Sequence, residues 1–183
     1  TATLQGKIYS SGALVTENGQ PAVLFDEDYL VNSSVTNLSG LAQSWFFVAE
    51  QDVNSSTRPL VSCGYQNVGQ SRTFTSEYYM RFVSSTQNYS GFAETNVQRL
   101  HAIVCPGIIS NISAYDWYRD GTLLTPTTSS TSAVNSIPST SVIALGRHSG
   151  TEPYSLEGKI QEAILYNSDQ SSNRTGIETK ITG

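Results

Sequence analysis

The chain has little charge and almost no cysteine, and each shortage removes a class of protein. Only 14% of its 183 residues are charged, against roughly a quarter in ordinary globular domains. Its net charge of −5 opposes the basic face that binding to a polyanion requires, so no nucleic-acid partner is expected. Cys63 and Cys105 are its two cysteines, too few for a disulfide scaffold. Both lie in apolar, strand-like runs. Two buried thiols are the simpler reading, and one bridge between neighbouring strands is the alternative. No Cys/His spacing of the zinc type accompanies them. No apolar run reaches the length needed to cross a bilayer, so no membrane insertion is expected. The chain starts at Thr1, so a missing signal peptide carries no weight. Also absent are a glycine-rich phosphate loop, a Ser/His/Asp order and an "E-x-D-x-x-E" strand.

Aromatic residues are plentiful, with ten Tyr and six Phe, which excludes a disordered acidic chain. Ser, Thr, Asn and Gly are abundant. Length favours a single domain over residues 1–183 with room for a real core. Short apolar runs recur between turn formers. Residues 4–9, 22–26, 44–50, 58–65, 78–83, 99–105 and 141–146 read as strands. The run 44–50, Ser-Trp-Phe-Phe-Val-Ala-Glu, is the most hydrophobic and is expected at the centre of a sheet. Asn18-Gly19 lies in a strong turn signal, and Asp120-Gly121 marks a hairpin with a type I′ turn. Residues 26–30 crowd three acids into what reads as a short turn. Residues 32–40, 66–76, 84–95 and 126–140 are polar and read as loops.

The last strand, residues 158–166, is apolar on Ile160, Ala163, Ile164, Leu165 and Tyr166. Its phase shifts at Glu162-Ala163, which predicts a bulge or a covered second face. A short helix follows, with Ser171 or Ser172 as its cap and Ile177 and Ile181 on one side. Gly176 weakens it, so docking rather than propensity is expected to hold it. Many short strands with one terminal helix predict an all-β antiparallel sandwich.

Four stretches carry a family resemblance. Gly158, Ile160, Glu162, Ile164, Tyr166 and Asn167 resemble the closing strand "G-x-I-x-E-hydrophobic-x-hydrophobic-Y-N" of laminin-G-like, concanavalin A-like jelly-roll modules, in a bacterial or phage branch. Residues 18–30 resemble that family's "N-G-K-P-A-hydrophobic-x-F-D-G-x-x-D-Y-L", with Glu27 where the family has glycine. Residues 118–121 are similar to its hairpin and residues 143–146 to its "L-x-I/L-G" strand. The four occur in the family's order and span most of the chain. The resemblance implies a two-sheet jelly roll with one short C-terminal helix. An upstream "W-Y-D-Q-S-G" segment of the relatives is absent, which implies the later part of a longer polypeptide.

The superfamily holds lectin-like modules, adhesion and virion surface domains, and some glycanases and lyases, so the residues must choose. A hydrolase needs two carboxylates across a cleft, and none are paired at that spacing on a strand. Tyr78, Tyr79 and Arg81 are the nearest to a lyase set, and sheet packing explains them more simply. His101 lies in an apolar strand and reads as a core histidine. Binding needs less: aromatic faces and planar polar groups for sugar hydroxyls. Tyr154, His148, Arg147 and Tyr89 are the loop candidates, with Tyr154 leading. Trp117 is a further platform candidate, although anchoring the hairpin is its simpler role. Asp26 and Asp28, with Glu27, offer oxygen ligands to Ca2+, which related modules often bind; turn capping competes. Six Asn-x-Ser/Thr sequons, including those at Asn88 and Asn173, follow from the composition. The expectation is a non-enzymatic extracellular or virion-surface binding module for a glycan or a surface protein, serving recognition or host attachment. An assembly or decoration domain of a virion or surface structure, with copies of itself or a capsid as partners, is second. A glycoside hydrolase or lyase is third.

Overall fold

The computed structural model describes residues 5–36, 43–52, 58–63, 70–74, 77–82, 85–90, 95–104, 115–129, 140–147 and 155–182. Two ribbons come first: β1 (Tyr9–Ser10) with β2 (Ala13–Leu14), and β3 (Thr16–Glu17) with β4 (Gln20–Pro21). Next are β5 (Val23–Asp28), β6 (Leu30–Thr36), β7 (Ser44–Gln51), β8 (Arg58–Cys63), β9 (Gln70–Phe74) and β10 (Glu77–Phe82). Then come β11 (Ser85–Ser90), β12 (Arg99–Val104), β13 (Asp116–Arg119), β14 (Thr122–Leu123) and β15 (Thr128–Ser129). β16 (Thr140–Leu145), β17 (Leu156–Tyr166) and α1 (Arg174–Thr182) complete the described elements. Among the described residues no helix is long and apolar enough to cross a membrane.

Two large sheets result, one of six strands in the order β14-β13-β12-β7-β17-β5 and one of seven in the order β15-β11-β10-β9-β8-β16-β6. Their strands pair antiparallel. The fold is the antiparallel jelly-roll sandwich expected, and β7 is central as expected, between β12 and β17. Phe25, Trp45, Phe47, Ile103, Trp117, Leu156 and Ile160 from the first sheet meet Leu60 and Val61 from the second in one core. Each such side chain contributes about 1.5–3 kcal/mol by leaving water.

The six-stranded sheet is covered on part of its outer face as well. Phe46, Ala102 and Val104 alternate outward from the same strands, and Ile177 and Ile181 of α1 pack there with Tyr118, Ile164 and Tyr166. Phe46 meets Tyr166 edge-on, with ring centroids 5.9 Å apart. The Arg174 guanidinium lies 3.8 Å from the Tyr118 ring centroid and pairs with Glu178. Docking thus holds the helix, as Gly176 implied. Arg174 opens it, so Ser171 and Ser172 precede the helix rather than cap it. Ser171 instead donates from its backbone N–H and its hydroxyl to Asp169 Oδ1.

Two of the family-motif glycines have clear physical causes. Gly158 has φ 151°, and a Cβ there would lie 2.2 Å from the Glu50 carbonyl oxygen. Gly146 has φ 76°, and its Cβ would lie 2.6 Å from the Phe25 ring. Strand contact leaves no room for a side chain at either position. The two central residues of the Asp120-Gly121 turn have φ 49° and 77°, the type I′ geometry expected of this hairpin.

Several polar segments are strands, not loops. Residues 30–36 form β6, 70–74 form β9 and 85–90 form β11. Their backbones pair with neighbouring strands of the second sheet, and strand propensity follows the neighbours more than the residue type. The acidic stretch is not a turn either. β5 runs through it with a bulge, since Leu156 opposes Asp28 while Glu157 opposes Asp26. The extra residue, Glu27, has φ 58°. Cys63 ends β8 opposite Ile143. Cys105 is outside the described residues, and with it the question of a bridge.

Candidate functional site

A bulge in β17 builds the most developed recess. Ile160 opposes Ala49 and Glu162 opposes Val48, so Gln161 is an extra residue. Two successive side chains, Gln161 and Glu162, therefore reach the outer face at the margin of the region that α1 covers. The phase shift read at Glu162-Ala163 is this bulge, and the helix-covered outer face accompanies it. The turn of the β3–β4 ribbon supplies Asn18 and Gln20, and the entry to β12 supplies Gln98 and Arg99. Asp120 of the type I′ turn and the end of α1 close the remaining sides. The cleft has a volume of about 570 Å³, with Pro21, Val48, Leu100 and Ile181 as its apolar surface. That size falls within the range of roughly 300–1,000 Å³ typical of small-ligand sites.

Hydrogen bonds fix the polar wall. Asn18 Nδ2 donates to Gln98 Oε1 at 2.7 Å, and Gln98 Nε2 donates to Gln161 Oε1 at 2.8 Å. Gln161 Nε2 reaches the Glu17 carbonyl at 3.4 Å. Arg99 donates to Asp120 Oδ2 at 3.0 Å, and the Leu100 N–H donates to Asp120 Oδ1 at 3.0 Å. Three amides in series thus hold one another's rotamers, while Gln20 and Glu162 stand beside them. Planar amides, a guanidinium and carboxylates over an apolar patch can pair with ring hydroxyls and cover a sugar's C–H face.

A charged clasp holds the ribbon beside this cleft. Lys159 Nζ stands 2.7 Å from Glu17 Oε2 and 3.2 Å from Glu50 Oε1. The Lys159 hydrogen bond holds the Glu17 carboxyl below its usual range. Burial pushes Glu50 up, against the pull of the same lysine. The hydrogen bond to Glu17 in turn raises Lys159. Neither glutamate lines the cleft. The trio is a fastening, with the one ammonium shared between two acids.

None of the described residues singled out from sequence as site candidates lines this cleft. Trp117 is completely buried, so it is a core anchor and offers no stacking platform. Its Nε1–H donates to His101 Nδ1 at 3.2 Å. His101 is also buried and stacks on Phe47 at 5.0 Å. Burial pushes its pKa down to about 3, with Arg119 and Arg99 adding to the shift. His101 is thus the core histidine that was expected. Tyr89 lies in β11, paired with Tyr78 across the ladder, and not in a loop. Arg147 is half-buried, with its guanidinium 4.4 Å from the Tyr29 ring centroid. His148 and Tyr154 are outside the described residues. Asp26 is exposed and Asp28 buried, and Lys7 Nζ lies 3.6 Å from an oxygen of each. Asp28 Oδ2 has no hydrogen-bond partner among the described residues. The cation facing these two acids is therefore an ammonium, and no three His, Cys, Asp or Glu side chains converge among the described residues. The cleft residues gave no sequence signal beyond the phase shift at Glu162-Ala163 and the two turn dipeptides.

No family model matches the chain, and no curated protein matches it significantly. Solved structures do share its shape. A Ruminococcus gnavus IT-sialidase CBM40 bound to α2,3-sialyllactose is similar at 13% identity and TM-score 0.59, over 84% of this chain and 98% of that one. A heptameric SAP-like pentraxin from Limulus polyphemus is similar at 11% identity and TM-score 0.59, over 87% and 76% of the two chains. A mutant NanB sialidase from Streptococcus pneumoniae is similar at 17% identity and TM-score 0.62, over 84% of this chain and 26% of that one. At such identities the likeness establishes a common fold and nothing further.

Proposed function

We propose that the chain is a non-enzymatic glycan-binding module and that the outer-face cleft is its binding site. The observation that carries this reading is the convergence of Asn18, Gln98, Gln161, Arg99, Asp120 and Glu162 on one recess. The fold adds support, because a CBM40 module of this shape holds sialyllactose. Hydrolysis would need two available carboxylates. In the cleft, both Asp120 oxygens already accept hydrogen bonds from Arg99 and Leu100, which leaves Glu162 alone. The laminin-G-like affiliation, an exterior or virion-surface setting and a role in attachment belong to the same proposal.

A glycan array with the purified chain tests it. Binding to a defined set of glycans is expected, and the double variant Asn18→Ala/Gln161→Ala should lose about tenfold in affinity, as two hydrogen-bonding groups predict. Unchanged binding by that variant would remove the cleft as the site.

A specific observation favours assembly as the second reading. Ile8, Tyr9 and Leu14 on the β1–β2 ribbon are exposed, a small apolar group suited to contact with another copy. Light scattering that shows a monomer across the micromolar range would set that reading aside.

A further inference from the structure

Resting on the glycan reading, we infer that the cleft selects neutral, hydroxyl-rich sugars through Glu162 and disfavours sialylated ones. The charges facing the cavity belong to Arg99, Asp120 and Glu162. Arg99 and Asp120 pair with each other at 3.0 Å, so neither is left as an uncompensated charge. Glu162 has no ion pair among the described residues, and the half-buried bulge holds it at the wall. Behind the wall, Lys159 lies between Glu17 and Glu50, so two acids there answer one ammonium. Lys180 is exposed and shares the adjoining groove with Glu162, without an ion pair between them. Glu17, Glu50, Asp120 and Glu162 thus stand against Lys159, Arg99 and Lys180, and the acids are in excess by one.

A free carboxylate in such a setting acts in two ways. It accepts hydroxyl hydrogens in charge-assisted bonds, which are roughly twice as strong as neutral ones. It also repels a second carboxylate brought into the same small volume, and like charges juxtaposed at an interface are strongly disfavoured. Asn18 and Gln20 add amide donors and acceptors that suit hydroxyl or acetamido groups, while Val48 and Leu100 receive the sugar's apolar face. The sialyllactose bound by the Ruminococcus gnavus module of the same shape carries a carboxylate, which in this cleft would face Glu162 with no unengaged guanidinium on the wall. Fold and ligand class would then part company between the two proteins.

Matched oligosaccharides that differ only by a terminal sialic acid provide the test, with lactose and sialyllactose as the first pair and the array's other pairs following. Calorimetry on the whole chain should show the neutral member of a bound pair binding about tenfold more tightly, which one charge-assisted contact would produce. Glu162→Gln, checked for an unchanged melting temperature, should weaken the neutral member about fivefold and narrow the gap between the two. A sialylated member that binds more tightly would overturn the inference and leave the glycan reading in place. So would a Glu162→Gln variant that leaves both affinities unchanged. If no member of any pair binds, the glycan reading fails and the inference fails with it.

Discussion

The two faces of the six-stranded sheet come from the same strands and do opposite things. The inner face carries Trp45, Phe47, Ile103 and Trp117 into the shared core. The outer face is split. One half, Phe46, Ala102 and Val104, is sealed by α1, and the other half is lined by amides and charged groups around an open cleft. The inner face makes the domain stable. A polar recess beside the end of that helix adds little stability, and it has the form of a binding surface. The bulge at Gln161 separates the two halves, because it shifts the strand's phase where the apolar cover ends.

Substitutions should separate the faces by magnitude. The largest effect is expected where the strands touch: Gly158→Ala drives a methyl into the Glu50 carbonyl and should cost about 4 kcal/mol or more, read as loss of folded protein in denaturant. On the inner face, Trp117→Ala removes a fully buried ring and should cost about 3–5 kcal/mol. On the sealed outer half, Ile177→Ala removes a half-buried contact and should cost about 1–2 kcal/mol. Equal costs for these last two changes would break the distinction between the faces.

The pH dependence sharpens it. His101 has a folded pKa of about 3 against 6.5 for the free side chain. Its contribution is complete above pH 6.5 and is lost as pH falls toward 3, at a slope approaching about 1.4 kcal/mol per pH unit. Denaturant titrations at several pH values should show this slope, and His101→Gln should flatten it. The clasp gives a smaller effect. Glu17 is held low, so its contribution is present above the free carboxyl value and fades as pH drops below it. Lys159 is held high, so its contribution is present at neutral pH and fades only in strong base. Glu50 is held high, so its contribution runs opposite to that of Glu17 and is lost as pH rises through its folded value. Lys159→Met should cost about 2 kcal/mol at neutral pH by stranding Glu50, and part of that cost should return in acid as Glu50 takes up a proton.

The first sheet was legible because its strands declare themselves. Residues 44–50, 99–104 and 158–166 are apolar enough to require burial, and Asp120-Gly121 fixes its own turn. The second sheet hid β6, β9 and β11 behind Ser, Thr, Gln and Asn, residues that mark loops until neighbouring strands satisfy their backbones. The site was hidden for a related reason. Asn18, Gln98 and Gln161 are ordinary surface residues one by one, and three remote segments make them a wall. Aromatic residues are conspicuous one by one, and Trp117 is the core anchor that its simpler reading gave.

The side-chain amides of the cleft offer the most direct measurement. In 15N–1H spectra of the whole chain titrated with an array-selected glycan, the NH2 signals of Asn18, Gln20, Gln98 and Gln161 should shift together and saturate with one affinity. Shifts confined to residues 148–154 and 85–94, with those four amides unmoved, would contradict the cleft as the binding site.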